Sequence, residues 1–281
     1  MKKLITILLI LTFPAPAQLL FSQDSGMLRS TDSYSSHYLK LTVRSAPALT
    51  IEFNGHYDFG VFELSGNNNG DFSSSQFING ENFGVRHGIG GTAILKYTLN
   101  EKGFLRLCLI GSYNRFSSKY SKYLESTNEA GYANYNVFTI GAGIENSFTP
   151  GYKFKPLVGI GLIGSIIGGN SRVFDKDFNK YRDLSINPAF RLGLTVYSGL
   201  EYLINNKVGL NCGIRLVHAN LWLKDSKVSD NPNEINLNDA RVSPRLPYTG
   251  WRQFMWGELY GGVDIYFGII QKDYIFKKHY N

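Results

Sequence analysis

The chain has little cysteine: two in 281 residues, Cys108 and Cys212. That is too few for a disulfide scaffold, and no Cys/His spacing resembles a zinc site. Lysines and arginines are scattered, so the basic cluster that a nucleic-acid surface needs is missing. After the N-terminus no stretch holds 18 consecutive apolar residues, which argues against a later membrane-spanning helix. A helical period is also missing after the leader. Glycine and aromatics are abundant instead, with 30 Gly, 18 Tyr and 19 Phe.

The first residues read MKKLITILLILTF, two lysines and then an apolar run too short to span a bilayer. PAPAQLLFSQ follows. These are the parts of a secretory signal peptide, expected over 1–22 with cleavage after Ala17 or Ser22. Removing Lys2 and Lys3 with it takes the formal charge from +7 to +5.

Polarity alternates in eight segments: 49–63, 85–99, 104–116, 135–148, 154–167, 189–203, 208–221 and 254–268. In the first, Leu49, Ile51, Phe53, Tyr57 and Phe59 alternate with Thr50, Glu52, Asn54, His56 and Asp58. A period of two puts such sets on opposite faces of a strand. In the second segment the same rule sets Val85 and Ile89 against Arg86 and Gly88. Three connections are tight turns, NEKG at 100–103, TPGY at 149–152 and INNK at 204–207. Four are long, 65–84, 117–134, 168–188 and 222–253. Long and short alternate, so an up-and-down sheet carries all long loops at one end.

Alternation does not say which face looks inward. A soluble barrel turns its apolar face in, and an outer-membrane barrel turns it out. Three features favour the membrane. The loop asymmetry fits it. Aromatics stand near both ends of the apolar face: Tyr97, Phe148, Phe154, Tyr202 and Phe267 at the short-turn end, Tyr57, Tyr113, Phe190 and Trp222 at the other. The polar face is rich in glycine, which suits a narrow lumen better than a solvated surface. The predicted fold is all-β, an eight-stranded antiparallel up-and-down transmembrane β-barrel over 49–268. A periplasmic leader is expected at 23–48 and a periplasmic tail at 269–281.

This arrangement resembles the small outer-membrane β-barrels, the group of the OmpA transmembrane domain and OmpX. The resemblance is architectural and has no short motif behind it. It implies a Gram-negative outer membrane, periplasmic termini, assembly by the barrel-assembly machinery, and contact with outer-membrane lipid and lipopolysaccharide. Fourteen residues follow Phe267, whereas barrels of this group often end on an aromatic. The segment HYLKLTVR at 37–44 alternates weakly. Counting it and the tail as barrel strands would make ten and invert the loop pattern, so eight are expected.

The inner face carries an ordered set of charges. Near the short turns it presents Glu52, Lys96, Arg106, Glu145, Lys155, Glu201, Asn211 and Asp264 in strand order, with Arg215 and Glu258 higher. Expected pairs are Glu52–Lys96, Arg106–Glu145, Lys155–Glu201 and Arg215–Glu258. Glu145 and Lys155 flank the TPGY turn and are expected to face each other. Buried charge is costly unless paired, so a lumen closed by a structural charge network is expected, with a gated ion path as the competing reading.

Catalysis has weaker support. His56 points inward beside Asp58, and His87 and His218 project toward lipid near the loops, but no serine is clearly placed beside either of those two. No catalytic, cofactor-binding or metal residue is assigned, and the chain is read as a non-enzyme. The stretch VGIGLIGSIIGG at 158–169 contains G-x-G-x-x-G, a dinucleotide fingerprint only between a strand and a helix. The polar GGNSRVFDKDFNK follows it, so Gly159 and Gly161 are read as lumen-facing glycines of a strand. The expected role is structural, adhesive or in envelope assembly, acting through the long loops. A narrow passive channel is the alternative, and a lipid-modifying enzyme a remoter one.

Overall fold

The computed structural model describes residues 38–65, 83–100, 102–119, 132–175, 180–227, 229, 231, 233–241 and 250–277, with the backbone alone for 38–43, 118–119, 173–175, 241 and 271–277. The signal-peptide reading and the leader as far as residue 37 lie outside the described residues.

Eight long strands form one closed sheet: β1 Leu49–Val61, β2 His87–Thr98, β3 Leu105–Lys119, β4 Tyr132–Ser147, β5 Phe154–Asp175, β6 Lys180–Leu203, β7 Val208–Trp222 and β8 Met255–Phe267. Each pairs antiparallel with the next, and β8 returns to β1, with Phe267 opposite Leu49 and Met255 opposite Val61. Closure leaves no barrel edge exposed. This unit spans Arg44–Ile270. A separate two-stranded sheet pairs Tyr38–Arg44 with Gln271–Lys277, and apart from Arg44 it belongs to a second unit, 1–43 with 271–281. The barrel therefore has eight strands, with leader and tail in a ladder of their own.

The two faces have opposite chemistry. On the outer face Ile89 is 66 % exposed, Ile140 64 % and Ile214 60 %. On the inner face Glu52, Lys96, Arg106, Glu145, Lys155, Glu201, Arg215, Glu258 and Asp264 are all buried. A water-soluble fold does not leave a continuous apolar belt exposed around buried charge. Lipid reverses that preference, so this is a transmembrane barrel of the outer-membrane type.

Three expectations need correction. First, the 168–188 segment is not a loop. β5 and β6 continue through it and leave only 176–179 between them. Among its described side chains the exposed Asn170, Arg172, Asp183 and Ser185 alternate with the buried Ser171, Leu184 and Ile186. Arg172 faces Asp183 across this ladder with contacts of 2.7 and 2.8 Å. Those hydrogen bonds hold the Asp183 carboxyl below its usual range. At about 3.3 Å per residue the 22 residues of β5 reach far beyond the 9–11 that cross a bilayer. Likewise 117–134 shortens, since β3 runs to Lys119 and β4 starts at Tyr132. The ladder slips at Ile167/Gly169, a bulge beside Pro188. Second, Val85 does not face lipid and Arg86 does not face the lumen. Gly84 takes φ +76°, the chain turns there, and β2 begins at His87. Val85 ends fully buried and Arg86 exposed. Third, Glu145 does not face Lys155. The hairpin register sets Glu145 opposite Gly159, so Lys155 lies four residues nearer the turn.

Candidate functional site: the filled lumen

The lumen is occupied at three levels, each built from inward positions of several strands. The lowest is ionic. Lys96 of β2 sits among three carboxylates, 2.5 Å from Glu52, 2.9 Å from Glu145 and 2.8 Å from Glu201. Arg106 of β3 donates to both oxygens of Glu201, at 2.8 and 3.1 Å, and pairs with Glu145. Glu201 thus serves two cations in a fully buried position. Lys155 is held more loosely, 4.0 Å from Glu201, with its ammonium 4.1 Å from the centre of the Tyr266 ring. Asp264 accepts from Asn211 at 2.9 Å and from Tyr266 at 3.1 Å.

Register explains part of this. Arg106 and Glu145 are direct cross-strand partners, as are Lys155 and Glu201. The contacts of Lys96 with Glu145 and Glu201, and of Arg106 with Glu201, join strands that are not neighbours. An eight-stranded lumen is narrow enough for side chains to meet across it.

The middle level is a mixed network. His56 Nδ1 lies 2.7 Å from Asp58. Asn114 donates to Asp58 at 3.0 Å and to Glu258 at 3.3 Å. Glu258 also accepts from Arg215 and from the Trp256 indole, both at 2.9 Å. Arg215 reaches Thr92 at 3.1 Å and is flanked by the rings of Tyr197 and Tyr260. His56, Asp58 and Glu258 approach one another within ligand reach, as do Glu52, Glu201 and Asp264. Both sets are already engaged by arginine or lysine, and a metal ion would have to displace those cations.

Gly159 belongs to this region and answers the question of the glycine motif. A Cβ there would stand 2.2 Å from Cζ of Tyr197, directly opposite on β6. Glycine makes room for the tyrosine, whose hydroxyl lies 3.5 Å from the buried Cys108 Sγ. The motif lies within β5, so no phosphate turn exists.

The upper level is apolar, which the alternation of polar inward positions does not announce. Phe83, Phe116, Tyr135, Phe254 and Trp256 form a buried edge-to-face cluster. Phe254 is its centre, with ring centroids 5.0 Å from Phe83, 5.4 Å from Tyr135 and 6.0 Å from Phe116 and Trp256. Phe116, Tyr135 and Trp256 occupy inward parity at the loop ends of their strands, which was the available signal. Phe83 precedes β2 and enters from the first long connection.

Over this cluster the longest connection is latched by Asp239, which is fully buried. Its carboxylate accepts from Arg191 at 2.7 Å and Asn220 at 2.6 Å, and from the Asp225 amide at 3.1 Å. Asn220 accepts from the Phe254 amide at 2.7 Å, tying the latch to the aromatic cluster. Beside it Lys224 donates to the Arg252 carbonyl at 3.1 Å, and burial lowers its pKa. Glu234–Asn236 adds three parallel pairs to β6. Asp239→Ala takes the buried carboxylate from Arg191, which keeps only the Phe190 and Leu237 carbonyls, and from Asn220, which keeps the Arg252 carbonyl, a cost of about 3 kcal/mol. The loss is expected to be local, because the eight-strand ladder is untouched. Trypsin should cut within 222–253 faster than in the parent, while the barrel keeps its mobility shift on boiling. Unchanged cleavage would show that Asp239 is not the latch.

Strand number, order, closure and faces define the class: a small transmembrane β-barrel. No family model matches the chain, and no curated protein does. Among solved structures, neisserial surface protein A matches at 16% identity and TM-score 0.41, covering 79% of this chain and 99% of its own. A major outer membrane protein from Thermus thermophilus matches at 10% identity and TM-score 0.42, over 77% and 99%. The N-terminal β-barrel domain of Pseudomonas aeruginosa OprF matches at 13% identity and TM-score 0.31, over 78% and 98%.

Proposed function

We propose that this protein is a closed-lumen barrel of a Gram-negative outer membrane, with a structural, adhesive or envelope-assembly role carried by its loop end. The observation that supports the reading is the burial of inward side chains at three levels, in the ionic belt, the His56–Arg215 network and the aromatic cluster. The buried rings of that last level pack edge to face, and the belt below it binds its own cations. The His56–Asp58 pair lies beneath the aromatic cluster, which argues against its serving an external substrate. The β5–β6 projection and the residues latched around Asp239 form the surface offered to partners, with lipid and lipopolysaccharide around the apolar belt.

Planar-bilayer recording tests the closed lumen against a narrow channel. Purified protein that shifts in mobility on boiling, and is therefore a folded barrel, is expected to give no stable conductance steps. Reproducible steps would sink the closed-lumen reading and establish the channel.

A further inference from the structure

Outward-facing glycines leave a hollow in the apolar belt on β1–β4. A groove of about 510 Å³ lies there, lined by Phe53, Gly55, Gly91, Gly111, Tyr113 and Phe138 among others. Gly55, Gly91, Tyr113 and Phe138 form one cross-strand row. These glycines differ from Gly159. A Cβ on Gly55 or Gly111 would meet nothing within 4 Å, and on Gly91 nothing nearer than 3.6 Å. The barrel's own packing does not require glycine at these positions.

The next row toward the loops is Tyr57, Ile89, Arg115 and Asn136, about 7 Å higher along the strands. Arg115 is exposed on this outward face and has no acidic partner among the described residues. Tyr113 donates to Asn136 at 2.8 Å, and the Tyr57 hydroxyl lies 2.6 Å from His87 Nδ1. Thus an apolar channel on the lipid-facing surface runs up to a guanidinium that no described residue pairs, within a hydrogen-bonding rim. Arginine pairs with phosphate through parallel N–H donors. An arginine turned outward from a belt needs such a counter-charge most where solvent ends.

We propose that this groove binds one anionic phospholipid molecule, an acyl chain against Gly55, Gly91 and Gly111 and a phosphate on Arg115, with His87 and Asn136 beside it. The proposal rests on the membrane-spanning reading and deepens it by naming a lipid site.

The test uses the full-length protein, purified in detergent and incubated with dimyristoyl phosphatidylglycerol or dimyristoyl phosphatidylcholine, with retained lipid counted by native mass spectrometry. The parent is expected to retain phosphatidylglycerol preferentially. Gly111→Leu fills the groove and Arg115→Gln removes the charge; each is expected to lower retention about tenfold. Both variants keep the boiling shift, because neither side chain serves the barrel's packing. Failure of the parent to shift on boiling would sink the barrel reading itself. Equal retention of both lipids, or retention unchanged in either variant, would overturn the lipid site. So would a dimer that Gly111→Leu dissociates while lipid retention stays constant, since a second copy would then cover the groove.

Discussion

Glu201→Gln is expected to destabilise the folded barrel by about 3–5 kcal/mol, the usual cost of leaving buried charge without its partner. Glu201 accepts from Arg106 through both oxygens and from Lys96. Glutamine keeps the size and one acceptor but removes the charge that holds two cations out of water. Glu52 and Glu145 remain for Lys96, and Glu145 for Arg106. The loss is therefore large without abolishing the fold. Lys155→Met is expected to cost much less, about 1 kcal/mol, because it removes a 4.0 Å contact and a ring contact but no hydrogen bond to Glu201. Urea unfolding in lipid vesicles measures both, through the shift in midpoint at constant slope. A double-mutant cycle separates the partners. Glu201→Gln with Arg106→Met should be strongly non-additive, and Glu201→Gln with Lys155→Met close to additive. Stronger coupling to Lys155 than to Arg106 would reject this account of the belt. Salt should change little, since the pairs are buried away from screening ions.

How much of this was readable beforehand depended on whether a contact runs along the sheet or across the lumen. Period-two polarity placed all eight strands and sorted their faces, because one face meets lipid and the other does not. Arg106–Glu145 and Arg215–Glu258 are neighbours on adjacent strands, and both follow from depth counted from a turn. Lys96–Glu201 joins β2 to β6, and nothing in either strand's pattern announces it. It depends on barrel stagger, which sequence spacing does not encode. The Glu145–Lys155 expectation failed for a related reason. The residues flank a turn symmetrically in sequence, but the ladder register is shifted by four residues.

The loop end was least legible. Outside the bilayer an outward strand face is polar, so the upper parts of β5 and β6 read like loop. Asp239 sits in a polar connection with no periodic signal, yet three donors converge on its carboxylate. The aromatic cluster was half visible. Phe116 and Trp256 lie at even positions on strands whose even positions face inward, against the expectation that large apolar groups face lipid. Three inward aromatics at the loop ends of separate strands are the mark of an apolar stopper.

Phe254→Ala removes the centre of that stopper and is expected to cost about 3–5 kcal/mol, the range for deleting a buried phenylalanine. Four rings lose an edge-to-face partner at once. Collapse around the gap is limited, because Phe116, Tyr135 and Trp256 are fixed to three different strands. Phe254→Leu keeps most of the volume and is expected to cost less than half as much. Both substitutions leave the backbone bonds of residue 254 with Asn220 and Ala219 in place, so the difference isolates packing. Urea midpoints in vesicles give the two values. Equal losses would show that bulk contributes nothing and that the ring contacts carry the whole effect. The alanine variant is still expected to show no conductance in planar bilayers, for a reason independent of its stability. Below the gap Lys96 and Arg106 remain locked among Glu52, Glu145 and Glu201, so widening the upper lumen does not open the lower. Conductance steps from Phe254→Ala alone would mean that the aromatic level, and not the ionic belt, is what closes this barrel.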